Sequence, residues 1–253
     1  MVNMDRYEQI RENFRLVRER IGAAMERRVP GAPGRVRLLA ATKTVPPDEI
    51  LFAQRELGLD LIGENRTDEL KAKYPALDGR IEQHFIGHLQ TNKVRQVVGR
   101  VTLIESVDSR RLAEEIDRRS EALGLVSDIL LEINSGREPN KSGVAPEDVP
   151  AALAYLAQFS HLRVRGFMTM APVCAQKEDY RKYFRETYAI FIDFCEKNKH
   201  NIIEPVLSMG MSDSYETALE EGATEIRVGQ ALFGRRVYPA APTGQTSLSQ
   251  TGI

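Results

Sequence analysis

Cysteine is scarce in this sequence, and neither sign of charge is in excess. The only two cysteines, Cys174 and Cys195, form no CxxC pair and are too few for a disulfide framework. A reducing compartment, the cytoplasm, is therefore expected. The 35 basic and 36 acidic residues leave a net charge of -1, so no basic excess indicates a nucleic-acid partner.

Long apolar runs are also missing. The N-terminal segment is charged throughout and lacks the apolar centre of a signal peptide, and no stretch reaches the roughly 18 apolar residues of a membrane span. We therefore expect a cytoplasmic location and no membrane partner. Hydrophobic residues make up 42% of the 253 positions, which is enough for a sizeable core.

The chain instead alternates between polar, helix-period segments and short apolar runs typical of strands. The first segment predicts an amphipathic helix, because its apolar residues recur at spacings of three and four: Tyr7, Ile10, Phe14, Val17, Ile21 and Ala24. Eight strand-like runs follow, at residues 36–42, 59–64, 83–89, 101–107, 127–134, 163–170, 204–210 and 224–229.

Eight strand–helix units predict an α/β fold, a single (β/α)₈ TIM barrel over residues 1–239 with an extra N-terminal helix. The small, polar residues 240–253 are expected to be a disordered tail. A doubly wound sheet is the alternative, but the turn after the first strand, "TKTVPP", lacks the Gly-rich pattern often found there.

In a barrel, functional groups lie where strands end, and Lys43 follows the first apolar run directly. Desolvation lowers the pKa of an amine, and a neutral amine can form a Schiff base with an aldehyde. A surface lysine in a loop is the alternative. His84 and His88, four residues apart, would need a third ligand to bind a metal, and no metal site is predicted.

The loops after the seventh and eighth runs predict an anion site. Gly210 and Ser212 stand just before a helix-like segment, and Gly229 would let the backbone approach a ligand closely. Ordinary N-capping by Ser212 is the alternative. Arg227 alternates with apolar neighbours, so it points either into the barrel or outward to a helix, and the residues leave that choice open.

Six segments, in this order, resemble the pyridoxal phosphate homeostasis proteins of the YggS/PROSC type. They are "LLAATKTVP", "IGENR", "HFIGHLQTNK", "INSGREPNKSG", "RGFMTM" and "LSMGMSDSYETALEEGATEIRVGQALFG". The resemblance covers nearly the whole chain. It implies a barrel related to the N-terminal domain of alanine racemase that binds pyridoxal 5′-phosphate, with Lys43 as the lysine that forms an imine with the cofactor.

The same resemblance implies roles for further residues. Arg227 would face the pyridine nitrogen, Asn65 would lie near the ring, and His84 would lie in the segment under the cofactor. The phosphate would be held by the segments that contain Ser208, Gly210, Met211, Ser212 and Gly229. Gln230 stands where the family often has Thr or Ser, which puts a side-chain contact from residue 230 to the phosphate in doubt.

Two functions fit these expectations. One is a carrier without turnover that binds pyridoxal phosphate and delivers it to apo-enzymes through transient contacts. The other is an amino-acid racemase that depends on pyridoxal phosphate, or a related enzyme of fold type III. Racemisation needs a base on each face of the substrate carbon. After the eighth run the sequence reaches Tyr238 and then only a short tail, so we expect no second domain that could supply one. We therefore expect a carrier, and a monomer.

Overall fold

The computed structural model describes residues 2–33, 35–198 and 204–234. Eight parallel strands close into a barrel in chain order, with β1 paired to both β2 and β8. The strands are β1 Arg37–Ala41, β2 Leu61–Glu64, β3 Glu82–Phe85, β4 Leu103–Val107, β5 Ser127–Ile133, β6 Leu162–Thr169, β7 Val206–Ser208 and β8 Glu225–Val228.

This closed barrel confirms the predicted fold class and excludes the doubly wound sheet. All eight predicted runs contain a strand, although several strands are shorter than the apolar run around them. The expected boundary at residue 239 and the tail 240–253 lie outside the described residues. Within the described ranges, no helix has the length and apolar character needed to cross a bilayer.

The helices follow the strands in alternation. They are α1 Val2–Met25, α2 Pro47–Leu57, α3 Thr67–Leu77, α4 Arg110–Glu121, α5 Val149–Leu156, α6 Arg181–Asn198, α7 Tyr215–Glu220 and α8 Gln230–Phe233. After β3 the chain forms a 3₁₀ helix, Thr91–Gln96. In α2, Pro47 opens the helix and Gly58 ends it in the left-handed conformation.

The N-terminal helix α1 covers the place where the barrel closes. Its buried side chains include Ile10, Phe14 and Val17, and the Phe14 ring meets Phe233 of α8 edge to face at 5.8 Å. Asn13 donates a side-chain hydrogen bond to the Leu232 carbonyl at 3.0 Å. Burial of one such aromatic side chain stabilises the fold by about 1.5–3 kcal/mol, so α1 is an integral part of the barrel.

Alternation along the strands separates two environments. Outward side chains, such as Ile104 on β4 and Phe167 on β6, join the helices in the main hydrophobic core. The inward side chains form only two small apolar clusters, one of Leu39, Leu61 and Ile86 and the other of Leu103, Leu130 and Met168.

Charged side chains occupy much of the remaining barrel interior, which the sequence analysis did not anticipate. Glu105 of β4 accepts a hydrogen bond from Ser208 of β7 across the barrel at 2.6 Å, and it contacts His84 Nδ1 at 2.8 Å. His84 Nε2 lies 3.0 Å from Glu82, which is also paired with Arg37 at 2.6 Å. Since burying unpaired charge is costly, each of these acids lies against a base, although burial and the neighbouring Glu225 raise the pKa of Glu105 to about 7.

Glu132 differs from these interior acids, because no cation among the described residues pairs with it directly. It is 3% exposed on β5. Burial and the nearby charge of Asp108 raise the pKa of Glu132 to about 7, although Arg227 opposes the shift. The folded protein therefore binds a proton here that the unfolded chain releases above its ordinary pKa of 4.5.

This difference predicts a pH-dependent cost of folding. Because the pKa of Glu132 is raised in the folded protein, its contribution to the free energy of unfolding is complete below pH 4.5. That contribution is lost as the pH rises from 4.5 to about 7. Glu132→Gln carries no charge, so we expect it to be more stable than the wild type by about 3 kcal/mol at pH 8. At pH 5 the gain should be below about 1 kcal/mol.

Urea unfolding at the two pH values measures the difference, with the exposed Glu121→Gln as control. A gain that is equal at pH 5 and pH 8 would contradict a protonated Glu132.

Candidate functional site

Closure of the barrel brings the ends of β1 and β8 together at the C-terminal mouth. Ala40 pairs with Val228, and the chain beyond each strand lines a cavity of about 360 Å³. Lys43, Gly229 and Gln230 are three of its lining residues. The structure thus places three of the predicted site residues, from opposite ends of the sequence, around one opening.

Lys43 lies two residues beyond the end of β1 and is half-buried. It stands in a tight turn, because the Val45 N–H donates to the Thr42 carbonyl at 2.9 Å. Thr44 has φ of 65°, a left-handed conformation that is unusual for a β-branched residue. The turn orients the segment that carries Lys43 toward the mouth before α2 begins at Pro47.

α1 also contributes to this cavity, which the sequence analysis missed. Arg6 lines it and forms two hydrogen bonds with Glu49 of α2, at 2.9 and 2.8 Å. Arg6 and Glu49 are far apart in sequence, and each looks like an ordinary surface residue of an amphipathic helix. No local pattern distinguishes such a pair, because only the packing of α1 beside α2 brings the two together.

Arg227 points into the barrel, which decides the orientation that the sequence left open. One terminal guanidinium nitrogen donates to Ser208 Oγ at 2.7 Å, and the other donates to the Thr169 carbonyl at 2.8 Å. Its own main-chain N–H donates to the Gly210 carbonyl at 3.1 Å. Arg227 is 5% exposed and lies near the C-terminal ends of β6 and β7, close to the mouth.

The loop after β7 folds back on itself and meets the loop after β8. Gly210 has φ of 89°, and Ser214 Oγ accepts the main-chain N–H of Met211 at 3.1 Å. Ser212 Oγ accepts the N–H of Ala231 at 3.4 Å, which connects the two loops. The predicted anion residues Gly210, Met211 and Ser212 are therefore next to the segment of Gly229 and Gln230.

The structure gives Gly229 a packing role in addition to the predicted one. A Cβ at this position would lie 2.9 Å from the Ala41 carbonyl oxygen of β1. A side chain would therefore press against the neighbouring strand where the barrel closes. Gln230 begins α8 directly after this glycine.

Ser208 and His84 lie deeper than the loop residues. The Ser208 hydroxyl is fully buried between Arg227 and the carboxylates of Glu105 and Glu225. His84 contacts Glu105 and Glu82 through its two ring nitrogens. Both side chains therefore lie inside the barrel, and the Ser208 hydroxyl accepts a hydrogen bond from Arg227.

Asn65 follows β2 at the same end of the barrel. Its main chain packs closely on Gly87, where a Cβ would meet the Asn65 carbonyl oxygen at 2.0 Å. The Asn65 Oδ1 atom is buried and has no hydrogen-bond partner in the part of the chain that the structure describes. Such an acceptor costs free energy unless a donor satisfies it, and a ligand at the mouth would provide one.

The one group of metal-type ligands among the described residues is His84, Glu105 and Glu225, whose ligand atoms lie within 4.8 Å of one another. A cation there would replace the His84–Glu105 hydrogen bond. It would also lie beside the guanidinium of Arg227, whose Nη1 atom is 3.9 Å from Glu105 Oε2. Burial lowers the pKa of His84, but Glu225, Glu105 and Glu82 outweigh it and raise the pKa well above the usual value. A protonated His84 already supplies the positive charge, so we interpret the group as an ion network.

Comparison with known proteins agrees with this architecture. A sequence profile of the alanine racemase N-terminal domain matches residues 6–237. The pyridoxal phosphate homeostasis protein of Aquifex aeolicus is 43% identical over 228 residues, which is 90% of this chain and 98% of that protein.

Two solved structures show how far the likeness extends. PipY of Synechococcus elongatus, solved with pyridoxal phosphate bound, has a TM-score of 0.71 and 33% identity, covering 85% of this chain and 99% of that one. Alanine racemase of Clostridium difficile has a TM-score of 0.67 at 15% identity, covering 92% of this chain and 62% of that one, so it shows the fold alone. The chain belongs to the alanine racemase N-terminal domain family and, within it, to the pyridoxal phosphate homeostasis proteins.

Proposed function

We propose that this protein binds pyridoxal 5′-phosphate reversibly at the C-terminal mouth of the barrel, with Lys43 as its covalent anchor, and takes part in cofactor homeostasis. The observation that carries the proposal is the convergence of Lys43, Gly229 and Gln230 on one cavity, beside the loop of Ser212. A family member at 33% identity whose solved structure has pyridoxal phosphate bound supports it.

The residues at the mouth fit the chemical groups of this cofactor. An amine faces an aldehyde, hydroxyl and main-chain groups of the loop containing Ser212 face a phosphate, and the unsatisfied Asn65 Oδ1 accepts from a polar group near the ring. When bound, the cofactor supplies an aldehyde carbon that amines attack. The Lys43 amine would add to that carbon with loss of one water, so that a C=N bond would replace the C=O bond. An incoming amine would add to the same carbon as the bond to Lys43 breaks, so the cofactor would leave joined to the incoming amine and Lys43 would return to a free amine.

Arg227 favours a carrier over an enzyme. A guanidinium only donates hydrogen bonds, so when it faces the pyridine nitrogen it opposes ring protonation. The ring then stabilises negative charge poorly, and the electron withdrawal needed for racemisation is weak. Hydrogen bonds to Ser208 and to the Thr169 carbonyl hold the Arg227 guanidinium in place, which supports this part of the proposal. We propose a monomer that passes the cofactor to apo-enzymes in transient contacts.

Loading the purified protein with pyridoxal phosphate tests the anchor. We expect a yellow protein whose colour borohydride removes, because hydride reduces the C=N bond to a stable secondary amine. Mass spectrometry should then locate the cofactor on Lys43. Lys43→Ala should show neither colour nor adduct, whereas Lys71→Ala, on the exposed face of α3, should match the wild type. A wild type that remains colourless and unmodified would refute the proposal.

The phosphate contact is tested by comparing two ligands. Ser212→Ala removes a hydroxyl that lies where the loops after β7 and β8 meet. We expect the Kd for pyridoxal phosphate to rise about tenfold, as for loss of one hydrogen bond to a charged group. The Kd for pyridoxal, which has no phosphate, should change by less than about twofold. Equal losses for both ligands would place the phosphate elsewhere.

The carrier and enzyme hypotheses differ in turnover. We expect incubation of the loaded protein with single-enantiomer amino acids to release or exchange the cofactor without sustained racemisation. Chiral chromatography of the amino acid over time measures this. Racemisation that continues over many turnovers and disappears in Lys43→Ala would establish an enzyme and overturn the carrier.

A further inference from the structure

The main chain on both sides of Lys43 is tied to α3. The Lys73 ammonium donates to the Thr42 carbonyl at 2.7 Å, and the Thr44 N–H donates to Glu69 Oε2 at 2.7 Å. Lys73 and Glu69 lie one turn apart on α3, with 3.4 Å between Nζ and Oε2. One ion pair therefore contacts the residue before Lys43 and the residue after it.

Lys73 is placed where a charge is costly. Its side chain is 10% exposed, and its ammonium also contacts the buried Glu64 carboxylate at 2.8 Å. Thr42 Oγ1 donates to the same Glu64 oxygen at 2.6 Å. Because a well-packed apolar side chain often stabilises a fold as well as a buried ion pair does, stability alone gives little reason for a lysine here. Its hydrogen bond to the Thr42 carbonyl gives a more specific one.

The turn that holds Lys43 needs external support. Thr44 has φ of 65° in the third position of a turn closed by Thr42 and Val45, where glycine or asparagine is usual. A β-branched residue in this region is strained and persists only where its surroundings enforce it. The charge-assisted hydrogen bond from Thr44 N–H to Glu69 is such a constraint.

We propose that Lys73 and Glu69 are positioning residues that fix the direction of Lys43 and thereby set how much of the bound cofactor is attached covalently. The inference rests on the proposed anchoring by Lys43. With the carbonyl of residue 42 and the N–H of residue 44 both fixed, the amine starts close to the geometry in which it attacks an aldehyde carbon. Without them the turn relaxes, and attachment loses the advantage of a preorganised amine.

Two variants on α3 remove the two contacts separately. Lys73→Met keeps the length and apolar stem of the side chain but loses the donor to the Thr42 carbonyl and the cation that pairs with the buried Glu64. Glu69→Ala loses the acceptor for the Thr44 N–H, and Glu69 is partly exposed, so the barrel does not depend on it for packing. Matched controls are Lys71→Met and Asp68→Ala, exposed residues of the same helix. Lys73→Arg restores a donor at residue 73.

The measurement is the fraction of bound cofactor that borohydride traps on Lys43, taken at saturating pyridoxal phosphate with total binding measured separately. A side chain that merely stabilises the fold changes total binding and leaves this fraction unchanged. We expect the ratio of covalent to non-covalent cofactor to fall about tenfold in Lys73→Met and Glu69→Ala. The two controls should stay within about twofold of the wild type, and Lys73→Arg should recover part of the loss. Circular dichroism confirms that each variant is folded.

The outcomes separate this inference from the function on which it rests. If the wild type is trapped on Lys43 and both variants are trapped to the same fraction, the positioning role is wrong and the proposed function stands. If the wild type is not trapped at all, both fail. Should Lys73→Met not fold, Glu69→Ala decides alone. That variant removes the constraint on Thr44, so a normal trapped fraction in it would refute the positioning role.

Discussion

The parallel pairing of β1 with β8 is the constraint on which the site depends. Four residue pairs, from Arg37 with Glu225 to Ala40 with Val228, close the sheet. This pairing places the turn of Lys43 beside Gly229, and it leaves so little space that a Cβ on residue 229 would press against Ala41. α1 then packs over the same closure through Phe14. The segment that carries Lys43 is thus held where the two ends of the barrel meet.

The barrel interior serves the site through charge as well as through packing. A typical barrel is filled by layers of branched apolar side chains, but here a line of charged groups runs from Arg37 and Glu82 through His84 and Glu105 to Arg227. Burial costs each charge several kcal/mol unless its partners are well placed. The alternation of sign meets that condition and fixes the guanidinium of Arg227 under the mouth.

The sequence predicted the architecture well, because it depends on local pattern. Eight apolar runs separated by helix-period segments specify strands and helices in order, and each run contains a strand of the barrel. Glu105, Glu132 and Glu225 gave an overlooked signal, since each is an acid inside a strand-like run. Their shared interior location follows from strand alternation, but which acid meets which base depends on contacts across the barrel, such as Glu105 with Ser208.

By itself the sequence determined the order of strands and helices, the position of Lys43 just beyond the first strand and the glycine-bearing loops after the last two. Those features follow from side-chain periodicity and turn chemistry, which act over a few residues. Only the tertiary structure decided that Arg227 points inward, that Arg6 borders the cavity and that α3 holds the turn around Lys43. Each of these depends on which distant segments share a surface, and that is set by closure of the barrel and not by any local pattern.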